Sequence, residues 1–161
     1  MALFQATQVA AGLPVPNADR AAEDIPIVGD FVVPAGLALN DVIEMAPLPS
    51  GYVPVDVVLA CEDTDSNGTP TMALDCGILS GTYGSTDAAR TCGNEFFAAS
   101  NVARTGGIER MNKAAGALLA PDTSTTTARG VGVKVATAAA TLVAGAKWRL
   151  TLFARPMVEG V

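Results

Sequence analysis

Apolar and polar side chains alternate along the central part of this chain, between residues 51 and 81. In the run 52–63 one face carries Val53, Val55, Val57, Leu59 and Cys61, and in the run 71–79 one face carries Met72, Leu74, Cys76 and Ile78. A period of two is typical of strands with one buried face. Between the runs, Asn67-Gly68 supplies residues that adopt positive φ easily. The pattern predicts one long antiparallel hairpin.

Shorter β-compatible runs precede and follow this stretch, at 24–34, 41–46, 108–112, 129–137 and 147–155. One short helix is predicted at 95–103, because Asn94 can cap it and Gly106-Gly107 can end it. No sustained heptad pattern is present. We therefore predict an all-β fold: an antiparallel β-sandwich or jelly roll of about eight strands with one short helix, forming a single domain at 23–161.

Residues 1–22 are predicted to form an extended N-terminal arm. Pro14 and Pro16 favour extended backbone, and a fully extended arm of this length reaches about 70 Å, enough to cross a neighbouring subunit. A disordered tail and an arm folded back on its own sheet are the alternatives. The side chains that we predict for contact with other subunits are Leu3, Phe4, Leu13, Val15 and Trp148. For Trp148, a place in the core is the alternative.

The composition indicates a chain whose surface is partly covered by other subunits. Half of the residues are hydrophobic, only 5% are aromatic and 16% are charged, a low charged fraction for an isolated soluble monomer. No apolar run approaches the roughly 20 residues that cross a bilayer, and the first residues lack the basic start of a signal peptide. We therefore expect no membrane contact and synthesis in a cytoplasm.

The net charge of −6 hides an uneven distribution. Residues 1–89 carry −11 and residues 90–161 carry +5. Strands from the two halves can alternate in space and neutralise each other, or the two halves can attract neighbouring copies edge to edge. An acidic chain with few aromatic residues argues against nucleic acid as a partner.

One motif carries candidate metal chemistry. The segment 63–68, Asp-Thr-Asp-Ser-Asn-Gly, matches the first half of a calcium-binding loop, with Asp63, Asp65 and Asn67 as oxygen ligands. The acid expected at the twelfth position is replaced by Leu74, and strands rather than helices flank the segment. A plain turn with solvated acids is therefore the main interpretation, and a weak calcium site is the alternative; no other cofactor is expected. Such a site would make the chain a calcium-assisted binding module, such as a tail or receptor-recognition β-sandwich, which is the alternative function.

Catalytic signatures are missing from the sequence. The chain has no histidine, which excludes Ser-His-Asp and Cys-His catalysis. Ser80 lies in Gly-Ile-Leu-Ser-Gly, which is not the G-x-S-x-G elbow. Three cysteines without C-x-x-C spacing favour buried reduced thiols, with a cross-strand disulfide or a metal site as the alternative. We do not expect an enzyme.

A recognisable pattern runs through about residues 24–115, in the segments 34–36, 39–45, 47–56, 63–65, 75–79 and 106–111. In these segments the sequence resembles the cement or decoration proteins of tailed-bacteriophage heads. It implies a small β-sandwich protein without an active site. It also implies binding to the outside of an assembled capsid in the virion, as a homodimer or homotrimer that bridges subunits of the major capsid protein.

Overall fold

The computed structural model describes residues 2–6, 10, 12, 24–122 and 127–157 of the 161-residue chain. These residues contain nine strands and two single-turn helices. In chain order they are β1 (Leu3–Gln5), β2 (Ile25–Val32), β3 (Val42–Leu48), β4 (Tyr52–Cys61), β5 (Ala73–Thr82), β6 (Phe97–Ser100), α1 (Val102–Thr105), β7 (Gly107–Arg110), α2 (Ala114–Ala117), β8 (Arg129–Thr137) and β9 (Lys147–Pro156).

The strands form two sheets that enclose one hydrophobic core. The five-stranded sheet has the order β1-β3-β8-β5-β6, and the four-stranded sheet has the order β2-β9-β4-β7. Strands β2 to β9 thus follow the strand order of a jelly roll, and their pairings are antiparallel. β1 is added parallel to β3 at the edge of the five-stranded sheet. The predicted β-sandwich or jelly roll is confirmed.

The predicted hairpin is wrong, although both of its arms are strands. β4 lies in the four-stranded sheet and β5 in the five-stranded sheet, so the connection 62–72 crosses from one sheet to the other. In a jelly roll, most successive strands alternate between sheets in this way, although β5 and β6 pair with each other in one sheet. An alternating pattern identifies a strand with one buried face, but it does not identify the strand's partner.

A bulge in β4 changes which side chains face the core. Val57, Leu59 and Cys61 are buried as predicted, but Val53 and Val55 lie outward. The pairing of β4 with β9 shifts register between Pro54 and Asp56. Because an extra residue inverts the alternation, Tyr52 and Pro54 take the inward positions before the bulge.

The helix predicted at 95–103 is also wrong. Its central part forms β6, which pairs with β5, and the helix observed is α1 at Val102–Thr105. Phe96 and Phe97 are both fully buried, and the N–H of Phe96 donates to the carbonyl of Cys76 at 3.0 Å. Burial of two adjacent aromatic side chains against the sheet therefore outweighs the local capping signal.

Candidate interaction surfaces

Leu3 and Phe4, two of the predicted contact residues, lie in β1 and are half-buried. The N–H of Ala2 donates to Oδ1 of Asp41 at 2.6 Å, which fixes the start of the strand. The ring of Phe4 packs edge-on against Phe31, with centroids 6.2 Å apart. Residues 3–5 thus pair with the sheet of their own subunit.

Leu13 and Val15 lie outside the described residues, so contact by this part of the arm stays a prediction. Trp148 lies inside the subunit, with 1% of its surface exposed. Its Nε1 donates to Oγ1 of Thr64 at 2.9 Å, and its ring lies 5.6 Å from that of Phe31. Trp148 therefore stabilises the core. Any contact that this region makes with another subunit would come from its outward neighbours Lys147 and Arg149.

The residues predicted for the calcium alternative have other partners in the structure. Asp65 is buried, with 1% exposed. Its Oδ2 accepts N–H bonds from Thr71, Met72 and Ala140 at 2.7, 3.1 and 3.0 Å, and its Oδ1 accepts one from Thr141 at 2.8 Å. Burial alone raises the pKa of this carboxyl group, but the four backbone hydrogen bonds outweigh burial and hold the pKa well below its usual range.

The other two residues of the motif are also engaged locally. Oδ1 of Asp63 accepts from the N–H of Asp65 at 3.1 Å, and Oδ1 of Asn67 accepts from the N–H of Thr69 at 2.9 Å. Among the described residues, no three His, Cys, Asp or Glu side chains are grouped so that they could hold a metal ion. Calcium binding here stays a prediction, and the clear role of Asp65 is to tie the crossing between the sheets to the segment before β9.

The three thiols are free. Cys61 and Cys76 are buried, as predicted, and Cys92 is half-buried. Burial raises the pKa of Cys61 and Cys76, and it raises the pKa of Cys92 to about 12. All three therefore stay protonated near neutral pH and are poor nucleophiles and poor metal ligands.

The outer face of the five-stranded sheet is partly covered by the chain itself. Arg90 extends over this face and pairs with Glu44 on β3, with 2.8 Å between Nη2 and Oε1 and both side chains almost fully buried. Nε of Arg90 also donates to the carbonyl of Ser80 at 2.7 Å. A Cβ on Gly130 would overlap the Glu44 carboxylate, so β8 needs a glycine under the ion pair.

The outer face of the four-stranded sheet, which we call the open face, has no such cover among the described residues. Val28 and Val32 of β2 and Ile108 of β7 are exposed there, by 40%, 55% and 71%. Such side chains on a regular sheet give a broad surface that suits a protein partner better than a small ligand.

Three ion pairs within the subunit neutralise six of the charges on the open face. Arg149 bonds to Asp30 at 2.6 Å, Arg155 bonds to Asp24 at 2.8 Å, and Arg110 bonds to Asp56. Each pair joins an acid from the first half of the chain to an arginine from the second half. Alternation of the two halves in space, one of the two interpretations of the charge distribution, is therefore what the structure shows on this face.

Sequence reasoning missed two features of these surfaces. Nothing in the pattern around Arg90 indicates that its side chain crosses a sheet, because the pairing joins residues 46 positions apart. The open face was also not predicted, because it depends on which strands share a sheet. The outward valines of β2 alternate with buried Ile27 and Phe31, and this alternation was the available signal.

The described residues contain no helix long and apolar enough to cross a membrane. No protein-family profile matches the chain, and a search of curated proteins gave no significant match. Solved structures do match. A chain from the capsid of Ralstonia phage GP4 has a TM-score of 0.90 and 37% sequence identity, covering 98% of this chain and 100% of that chain. A chain from the capsid asymmetric unit of cyanophage Pam1 has a TM-score of 0.63 and 27% identity, covering 89% of this chain and 93% of that chain.

Together, the jelly roll, the open face and these neighbours define a phage capsid-related protein with a structural role. At 37% identity over nearly its whole length, the chain belongs to the family of the matched protein of the Ralstonia phage GP4 capsid.

Proposed function

We propose that this protein is a cement, or decoration, protein of a phage head. It binds the outside of the assembled capsid in the virion, after synthesis in the host cytoplasm, and bridges subunits of the major capsid protein. It acts as a homodimer or homotrimer, without nucleic acid, membrane or catalysis. The observation that carries the proposal is the open face, which combines exposed aliphatic side chains with three ion pairs formed within the subunit.

The free energy of burying such a face in an interface depends on whether its charged side chains keep their partners. A carboxylate or guanidinium that enters an interface without a partner carries a large desolvation penalty. On the open face Asp30 and Asp24 keep their arginine partners, so docking leaves these four charges paired. Burial of Val28 and Val32 then contributes favourably, at about 25 cal/mol for each Å² of apolar surface. Each contact is modest, and many symmetric copies together reinforce the shell.

A binding experiment with assembled heads tests the proposal. Heads that lack the protein are mixed with purified protein, and bound protein is measured after sedimentation. We expect the double variant Val28→Asp/Val32→Asp to lose most of its binding, because it places two unpaired acids in the interface. The control is Leu39→Asp, which changes a side chain of similar exposure, 50%, in the turn before β3.

Two results would overturn the proposal. The first is a wild-type protein that does not bind heads at all. The second is a folded double variant, checked by circular dichroism, that binds as well as the wild type and the control. In the first case the cement role fails, and in the second the open face is not the docking surface.

A further inference from the structure

The connection 62–72 between β4 and β5 contains an Asn-Gly pair in its exposed part. Asn67 and Gly68 are both exposed to solvent, and Asn67 is the one asparagine of the chain that a glycine follows. A Cβ placed on Gly68 would meet no atom within 4 Å. The backbone nitrogen of Gly68 therefore lies beside the Asn67 side chain without a side chain of its own to shield it.

Two hydrogen bonds orient the side chain of Asn67. Its Oδ1 accepts from the N–H of Thr69 at 2.9 Å, and its Nδ2 donates to Oγ1 of Thr141 at 3.0 Å. A backbone N–H can only donate, so the bond from Thr69 identifies the oxygen of the side-chain amide. The ring that this bond closes contains the backbone nitrogen of Gly68, so the bond holds Cγ of Asn67 near that nitrogen.

This arrangement favours deamidation through a cyclic succinimide, because proximity of the reacting atoms lowers the barrier. The nitrogen of Gly68 forms a bond to Cγ of Asn67 and gives its proton to water, and the N–H of Thr69 stabilises the negative charge that develops on Oδ1. The Cγ–Nδ2 bond then breaks, and Nδ2 takes a proton and leaves as ammonia. Water opens the succinimide at either carbonyl, which leaves aspartate or isoaspartate at position 67. Water is the only co-reactant, and nothing is oxidised or reduced.

Thr141 opposes this reaction, because it binds the group that has to leave. The hydrogen bond from Nδ2 to Oγ1 of Thr141 is made by the planar amide. Attack on Cγ makes that carbon tetrahedral and turns Nδ2 away from its ground-state direction. An interaction that is stronger in the ground state than in the transition state slows a reaction. The hydroxyl of Thr141 therefore protects the Asn67 amide.

We infer that Asn67-Gly68 is a site of spontaneous deamidation in the folded protein and that Thr141 slows the reaction there. The modification changes the crossing between the sheets, because the Asn67–Thr141 bond and the bonds of Asp65 join the same two segments. A carboxylate at position 67 adds a negative charge to a segment that already carries Asp63 and Asp65, and isoaspartate lengthens the backbone by a methylene group. The modified protein therefore unfolds at a lower temperature.

Peptide mass spectrometry of the full-length protein, incubated at neutral pH and sampled over time, tests the site. We expect the mass increase of deamidation to accumulate at Asn67 with first-order kinetics. Gly68→Ala should slow it by about tenfold or more, because a methyl side chain restricts the approach of the backbone nitrogen to Cγ. This variant should fold normally, since the added Cβ meets no atom within 4 Å. A wild-type protein that keeps its Asn67 amide as long as the Gly68→Ala protein does overturns the inference.

A second pair of variants tests the role of Thr141, at a temperature at which circular dichroism shows that all the proteins are folded. We expect Thr141→Val to speed deamidation about threefold to fivefold, which is the effect of losing one hydrogen bond from the ground state. Thr141→Ser keeps the hydroxyl and should react at the wild-type rate. A Thr141→Val protein that reacts no faster than the Thr141→Ser protein would refute this role. Modified protein, separated by ion exchange, should have a lower Tm than unmodified protein, and equal Tm values would refute the effect on the crossing.

Discussion

Asp65 is the residue on which the crossing between the two sheets depends. Its carboxylate is buried and accepts four backbone N–H groups, two from the segment before β5 and two from the segment before β9. We expect Asp65→Asn to lower the free energy of unfolding by about 2–3 kcal/mol, because an amide nitrogen would face an N–H donor and the charge is lost. For a chain of this size that corresponds to a fall in Tm of roughly 5–10 °C.

Differential scanning calorimetry measures this change. Asp63→Asn is the control, because Asp63 is exposed and its Oδ1 accepts one hydrogen bond from the N–H of Asp65. A surface substitution of this kind should change the free energy of unfolding by no more than about 0.5 kcal/mol. Equal Tm values for the Asp65→Asn variant and the wild type would show that the four hydrogen bonds do not stabilise the crossing.

The same carboxyl group predicts how stability depends on pH. Its pKa in the folded protein lies well below the usual value of 3.8, so the unfolded state binds the proton more readily. The contribution of Asp65 is therefore fully present above about pH 5 and is lost progressively as the pH falls below about 4. We expect the difference in unfolding free energy between wild type and Asp65→Asn to shrink over that range. A difference that stays constant from pH 7 to pH 3, measured by urea titration, would contradict this.

At the scale of elements, the sequence predicted the positions of the strands well and their pairing partners poorly. β8 at Arg129–Thr137 matches its predicted range, and β9 at Lys147–Pro156 extends its range by one residue. Alternation is a local signal, and these strands have one face in the core. The predicted hairpin was wrong because the pairing partner of a strand is fixed by contacts distant in sequence, such as the hydrogen bonds of Asp65 with residues 140–141.

The open face illustrates the same limit for the candidate site. Predicted contacts were assigned to large apolar side chains, and Trp148 was among them. In the structure Trp148 fills the core, while Val32 and Ile108 are exposed. The size of an apolar side chain does not show whether it lies in the core or in an interface, because both bury large side chains. To distinguish the two, one must know which side chains of each strand face inward, and in β4 a bulge shifts the register and inverts that alternation.

Glycine at position 132 permits close packing between β8 and β3. A Cβ there would overlap the carbonyl oxygen of Ile43 and lie 2.6 Å from Cδ1 of Leu79. We expect Gly132→Ala to destabilise the protein by about 2 kcal/mol or more, because the backbone of β3 would have to move. Gly36→Ala is the control, since a Cβ at Gly36 meets no atom within 4 Å. Urea unfolding midpoints that fall equally for both variants would contradict the expected overlap.

At the scale of the whole molecule, the jelly roll places acidic strands beside basic ones. β2 and β4 come from the acidic half of the chain, and β9 between them carries Arg149 and Arg155. Exposed ion pairs of this kind stabilise a subunit little. Their effect on the open face is that Asp24, Asp30 and Asp56 already have arginine partners. When this face is buried at each copy across a shell, the three ion pairs leave none of their own charges unpaired.

This arrangement predicts how heads respond to partial occupancy. If each copy adds an independent, modest contact, the temperature at which heads release DNA should rise gradually as the bound fraction of the protein increases. Heads lacking the protein are loaded with increasing amounts of it, occupancy is measured by gel densitometry, and DNA release is followed with a fluorescent dye during heating. Loading with Val28→Asp/Val32→Asp protein, which should not bind, is the control. A release temperature that stays unchanged up to full occupancy would show that the protein decorates the shell without strengthening it, because additive contacts must raise the barrier to rupture at every step.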